Sequence, residues 1–442
     1  MHADILIKNC SMLTPDFEVI HEQHIVIKDQ KIIAIEKELT QTYDAKETID
    51  GKGKLVMPGL VDAHTHTNQQ LLRGRISDEY PMIWTRIMVP FESNLREEDV
   101  AISAELSCLE MLKAGTTGFV DAGGSYMHKV AEAVEASGLR GVLTCSTMDT
   151  GAAIPESMKT TMEHNIQRNT DLFDAYHGKA DGRIHVWYSL RSLITCTPEL
   201  IQKVYETANA AGTGMQTHMN EYPNEISYCL ENFQMRPYEY LESLGVLDEN
   251  FLGAHSILLS ENEMELIQKY DSKVAHSPIS NAGKGFTKSP SLMQKGVSIG
   301  LGTDGSAHSG LSLFDQMKVF KSLMRAFWGV PIFDPVVMPS KNILEMATLG
   351  GAKAMLQEEQ FGSIEVGKKA DMILINTDQP HIEPTHQLTN TLIESANSND
   401  VADVIVNGRI LMKNREVLSL DEERIKYESK KAMGDLIVRA KI

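Results

Sequence analysis

Histidines and acids fall at the ends of apolar runs in this chain. GLVDAHTH carries His64 and His66, MQTHMNE carries His218 and Glu221, LGAH ends in His255, VAHSP holds His276 and SIGLGTD ends in Asp304. In an extended segment residues i and i+2 point the same way, so His64 and His66 can reach one cation together. Alone that pair is a weak signal: 15 histidines among 442 residues bring one His-x-His close to chance, and two surface histidines at a strand end are the alternative. With His218 and Asp304 at further run ends the pair becomes a set of four ligands: His64, His66, His218 and Asp304. Three imidazoles and one carboxylate suit Zn2+, with Fe2+ or Mn2+ as alternatives.

The neighbouring side chains can move protons. Glu221 follows His218 by three residues, and a carboxylate beside a metal but not on it can shuttle protons between water and a leaving nitrogen. A solvated loop glutamate is the alternative. His255 would orient the attacking water, or else be a satisfied core histidine. Asp304 would both hold the ion and accept the water's proton. His276 divides evenly between core and site, and His308 reads as a loop residue near the mouth.

Elements must bring these distant residues together. Between about 58 and 362, some eight short apolar runs alternate with amphipathic stretches such as REEDVAISAELSCLEMLKAG and MHKVAEAVEASG. Alternating β and α over about 300 residues predicts a parallel α/β fold, and eight units favour a (β/α)8 TIM-type barrel over an open sheet. In that fold the C-terminal strand ends converge on one mouth, so residues 64 and 304 share a site. Residues 1–57 read as short strands, and the same texture returns in KADMILINT and in ADVIVNGRILMKN, whose Asn-Gly suits a tight hairpin. The expected organisation is a small β-sandwich from 1–57 plus 363–420, the barrel over 58–362, and a helical tail over 421–442.

Composition narrows the partners. The net charge of −18 disfavours binding to nucleic acid or to anionic membrane surfaces, and no window approaches 18 continuous apolar residues. The five cysteines, Cys10, Cys108, Cys145, Cys196 and Cys229, are scattered without a CxxC, which fits a reducing compartment. The opening residues lack the basic flank and apolar core of a signal peptide, so a cytoplasmic enzyme is expected. The cysteine-rich zinc motif of nucleic-acid base deaminases does not occur.

The blocks PGLVDAHTH, THMNE, AHSILLS, AHSPISN, LGTDG and FGSIEVGKKADMIL resemble, in order, those of the amidohydrolase superfamily. The resemblance spans nearly the whole chain. It implies a metal-bearing barrel with a β-sandwich from both ends, ligands at His64, His66, His218 and Asp304, and proton handling by Glu221, His255 and Asp304. Two-metal members usually carry a carboxylated lysine after the fourth strand. IHVWYSLRSL has none, so a single-metal aminohydrolase is implied. Homo-oligomers are common in that group, although no residue pattern here encodes one.

The substrate expected is a small amino-substituted nitrogen heterocycle, deaminated with release of ammonia. In the nucleoside-deaminating branch a Pro-His pair stands where this chain has Leu190-Arg191. Arg191, five residues before Cys196, and Gln69, three after His66, are similar to guanine deaminases and suit an oxopurine or pterin-like ring. Glu92 in VPFE instead resembles a ribose-binding glutamate, unless it only starts a helix. Gln69, Glu92, Arg191 and Glu221 are therefore the candidate substrate contacts. The alternatives are a methylthioadenosine/adenosylhomocysteine-type nucleoside deaminase, a triazine or cyclic-amide hydrolase, or a metal-free binding protein on the same barrel.

Overall fold

A computed structural model describes residues 1–80, 83–152 and 154–442. Five strands open the chain: β1 (His2–Leu13), β2 (Val19–Lys28), β3 (Lys31–Glu36), β4 (Asp44–Asp50) and β5 (Lys54–Pro58). Nine follow in the middle: β6 (Leu60–Thr65), β7 (Thr116–Asp121), β8 (Arg140–Leu143), β9 (Ile184–Val186), β10 (Tyr188–Ser189), β11 (Met215–Met219), β12 (Phe251–His255), β13 (Lys273–His276) and β14 (Ile299–Leu301). Four close the chain: β15 (Met372–Asn376), β16 (Val401–Val406), β17 (Arg409–Lys413) and β18 (Glu416–Val417).

Both chain ends build one nine-stranded sheet, ordered β18-β17-β16-β15-β5-β1-β2-β3 with β4 paired to β1. Its hairpins turn where the sequence tolerates a left-handed backbone. Asp29 and Gln30 (φ 48° and 70°) join β2 to β3, and Asn407 and Gly408 (φ 50° and 70°) join β16 to β17, as the Asn-Gly pair predicts.

The middle strands are parallel and short, and every residue of β6, β7 and β8 is buried. Strands buried on both faces need continuous apolar runs rather than alternation. Helices cross between them and stop at glycines: Gly115 (φ 81°) ends helix Glu97–Ala114 and Gly138 (φ 87°) ends helix Met127–Ser137. The strands form a four-stranded sheet, β6-β7-β8-β9, and a five-stranded sheet, β10-β11-β12-β13-β14. Only Trp187 separates β9 from β10; its N–H bonds Leu143 O (2.9 Å) in one sheet while Tyr188 N–H bonds Gly214 O (3.2 Å) toward the other. At the opposite edges, the N–H groups of Thr303 and Asp304 donate to His64 O (3.1 and 2.9 Å). A Cβ on Gly302 would come within 2.8 Å of His64 O, so only glycine permits this approach. Val61, Val120, Val142, Trp187, Leu252 and Ala275, drawn from both sheets, pack in one buried cluster. Among the described residues no helix is long and apolar enough to cross a membrane.

Candidate active site

The C-terminal ends of β6, β11, β12 and β14 deliver His64 and His66, His218, His255 and Asp304 to one place. His64, His255 and Asp304 are buried, and His218 is partly so. The donor atoms of His64, His218, His255 and Asp304 lie within 4.8 Å of one another. His66 stands at the edge of this group, its Nε2 3.2 Å from His218 Nε2 and 3.5 Å from Asp304 Oδ1. His64 Nε2 lies 3.2 Å from the same carboxylate oxygen. The geometry thus brings the four predicted ligands to one place, with His255 beside them.

This donor set fits a divalent ion. Imidazoles crowd face to face and edge to face, with His64 and His218 centroids 4.9 Å apart and His66 and His218 5.3 Å apart. Burial, then the neighbouring histidines, hold His218 well below its ordinary pKa, so its imidazole is neutral at pH 7. His255 Nε2 is buried without a hydrogen-bond partner among the described residues, as are His64 Nδ1 and His66 Nδ1. Imidazoles packed around one buried carboxylate, several of their nitrogens without a hydrogen-bond partner among the described residues, are a donor set that a divalent ion completes.

The strand ends are strained. His255, Ser256 and Asp304 take left-handed φ values of 69°, 47° and 60°, and Asn220 takes 48°. Non-glycine residues rarely hold that conformation, and such residues cluster at functional sites. The strain lets each chain turn sharply after its strand and aim the last side chain inward.

Glu221 stands at the rim of the cluster. Its Oε2 is 3.6 Å from His255 Nε2, and its Oε1 accepts from Lys284 Nζ at 2.5 Å. Burial raises the Glu221 pKa, but His255 and Lys284 outweigh it and hold the carboxyl below its ordinary value. Burial pushes His255 down to about 4, so near pH 7 the lasting cation beside Glu221 is Lys284. Asn281 Nδ2 donates to His255 Nδ1 (3.0 Å), which leaves the ring proton on Nε2 facing the cluster. His308 lies in the loop after β14, as expected, and its Nε2 is 3.4 Å from Asp304 Oδ2. His276 is buried at the end of β13 and packs edge-on to Phe320.

Sequence reasoning missed Lys284 and Ser280. Ser280 Oγ donates to Asp304 Oδ2 at 2.5 Å and accepts from Lys284 Nζ at 2.8 Å. Ser280 lies within the AHSPISN block and Lys284 just after it, and a lysine after a polar turn carries no signal of burial.

The three remaining candidate contacts form a second buried cluster. Gln69 Nε2 (2.8 Å) and Arg191 Nη2 (3.1 Å) both donate to Glu92 Oε1, and the Arg191 guanidinium lies 5.8 Å from the Trp84 ring. Gln69, Glu92 and Arg191 are each under one-tenth exposed. Arg191 is therefore paired with an acid, and Glu92 Oε2 has no hydrogen-bond partner among the described residues.

A model of the amidohydrolase family matches residues 55–411. The chain belongs to that family, and it is a hydrolytic enzyme acting on C–N bonds. It is 37% identical over 438 residues to the 5'-deoxyadenosine deaminase of Methanobrevibacter smithii, with 98% of each chain covered. It is 34% identical over 443 residues to the 5-methylthioadenosine/S-adenosylhomocysteine deaminase of Thermoanaerobacter pseudethanolicus, covering 99% of this chain and 100% of that one. The fold is shared with an adenosine deaminase from Xanthomonas campestris solved with bound zinc (TM-score 0.93, 24% identity, 99% of each chain). It is also shared with the guanine deaminase of C. acetobutylicum (TM-score 0.83, 21% identity, 92% of this chain and 99% of that one).

Proposed function

We propose that the chain is a single-metal deaminase of adenosine-type nucleosides with a modified 5' position, working on a closed (β/α)8 barrel. The observation that carries this reading is the convergence of the His64, His66, His218, His255 and Asp304 side chains beside Glu221. The barrel reading is supported by the hydrogen bonds that link β14 to β6 and by the single strand path through Trp187. Relatives alike over their full length favour the nucleoside alternative over an oxopurine or pterin ring. The Arg191–Glu92 pair favours it too, since it takes Arg191 away from a ring carbonyl and leaves an acidic acceptor suited to ribose hydroxyls.

His64, His66, His218 and Asp304 would hold the ion, with Zn2+ the best match to their chemistry. A bound divalent ion supplies Lewis acidity, which lowers the pKa of a water toward about 7. Asp304 accepts one proton of the water, and His255, with its proton on Nε2, orients the oxygen. Glu221, ionised beside Lys284, takes the other proton of the water and passes it to the ring nitrogen next to the amino-bearing carbon, which makes that carbon electrophilic. The water oxygen adds to the carbon, Asp304 returns its proton to the amino group, and the C–N bond breaks. Ammonia leaves and a ring carbonyl remains. Glu92 and Arg191 hold the sugar so that the ring meets the water at reacting distance.

The test is Glu221→Gln, with metal content and ammonia release from 5'-deoxyadenosine measured on the same sample. The expected result is full metal with turnover down by about 100-fold or more, the usual range for losing a general acid–base. Unchanged turnover would overturn the assignment.

A further inference from the structure

Glu221 is held at both ends. Its carboxylate meets Lys284, whose side chain is only 10% exposed and whose ammonium also donates to Ser280 Oγ at 2.8 Å and lies 5.2 Å from the Tyr222 ring. A buried ammonium is costly unless paired, and Glu221 Oε1 at 2.5 Å is its nearest acid, with Asp304 Oδ2 at 3.7 Å. At the other end, the Glu221 backbone N–H donates to Glu225 Oε2 at 3.2 Å. Glu225 is 5% exposed, and its other oxygen has no partner among the described residues.

The turn between them is pinned as well. Asn220 takes a left-handed φ of 48°, a conformation asparagine tolerates better than most residues. Its Nδ2 donates to Glu263 Oε1 at 2.9 Å, while Glu263 Oε2 accepts from Arg236 Nε at 2.7 Å and from Ser260 N at 2.8 Å. Two buried carboxyl groups, Glu225 and Glu263, thus brace the bend that follows β11.

We propose that Lys284 and Glu225 are positioning residues for Glu221, Lys284 fixing its carboxylate and Glu225 its backbone. The inference rests on the role given to Glu221 above. Proton transfer needs the carboxylate within hydrogen-bond reach of ring nitrogen and water, and a displacement of 1 Å can cost about 100-fold in rate. Released from Lys284, the side chain swings about its own bonds. Released from Glu225, the turn carries the whole residue away from His255.

A double-mutant cycle separates this from a general structural role. Glu225→Ala, Glu225→Gln and Lys284→Met are made in the natural protein and again in Glu221→Gln. Ammonia release from 5'-deoxyadenosine is measured with zinc-loaded protein, at high enzyme concentration for the slow backgrounds. In the natural background Glu225→Ala and Lys284→Met are expected to lower kcat by about 10-fold or more, with KM within about twofold and zinc content unchanged. Glu225→Gln, which keeps an acceptor oxygen, recovers most of the rate. In the Glu221→Gln background the same substitutions change the residual rate by less than about twofold, because the group they position is already gone. Equal losses in both backgrounds, or an unchanged kcat in the natural one, would overturn the inference. Lys284→Met keeps the apolar stem and carries the cycle alone where Glu225→Ala does not fold. Should Glu221→Gln itself keep full turnover, the role of Glu221 falls first, which is a distinct result.

Discussion

At the scale of single residues, Glu92 decides between substrate classes. Its Oε1 is occupied by Gln69 and Arg191, so one oxygen remains for ligand. Hydrogen bonds to a charged partner contribute about 1.5–3 kcal/mol. Glu92→Gln is therefore expected to raise KM for 5'-deoxyadenosine by about 10- to 100-fold, and to leave the 2',3'-dideoxy analogue nearly unchanged. Steady-state kinetics on the two compounds check this; an equal effect on both would remove the ribose contact. That His64, His66, His218 and Asp304 share one site was legible because each ends an apolar run, where a polar residue has no structural reason to be. The Arg191–Glu92 pair was not. Nothing in the order of residues tells that side chains 99 positions apart neutralise each other, and the arginine alone suggested a ring carbonyl.

Elements carry the next level of the account. The parallel strands and the helices between them were legible from apolar runs alternating with amphipathic stretches. Strand β4 was not singled out: DAKETID is mostly exposed and has no apolar alternation, so its backbone pairing with β1 alone makes it a strand. The π-helical stretches Trp84–Met88 and Arg325–Gly329 also left no readable period. Strand β9 holds His185, whose pKa burial pushes down to about 4. The unfolded chain takes up a proton near pH 6.5, while the folded protein refuses it until about pH 4. The contribution of His185 to stability is thus present above pH 6.5 and is lost as pH falls through that window. Stability of the natural protein relative to His185→Gln should fall by up to about 1.4 kcal/mol per pH unit between those limits. Urea-unfolding midpoints of both proteins measured from pH 7 to 4 test it; parallel curves would contradict it.

On the scale of the whole molecule, one buried ion pair ties the middle of the chain to the terminal sheet. Arg140 at the start of β8 donates from Nε and Nη2 to the two oxygens of Asp371, both at 2.8 Å, and Nη2 also reaches Asn407 Oδ1 at 3.1 Å. Removing one partner strands a buried charge, so Arg140→Met should destabilise the protein by about 3–5 kcal/mol. The folded fraction should keep its turnover, since the pair touches none of the proposed ligands. Thermal melting and activity per folded molecule read this prediction, and an unchanged midpoint would refute it. The overall organisation was legible because both chain ends share one β texture around a long α/β middle. The exact partners across that junction were not, because a charged pair buried between distant segments leaves no periodic trace.

Metal and chemistry are joined most directly in one titration. Protein stripped with a chelator is reloaded with zinc in steps, and bound zinc and ammonia released from 5'-deoxyadenosine are measured at each step. The account predicts that activity rises linearly and stops at one zinc per chain, with one ammonia per nucleoside consumed. Full activity in the stripped protein, or saturation with zinc without ammonia release, would contradict it.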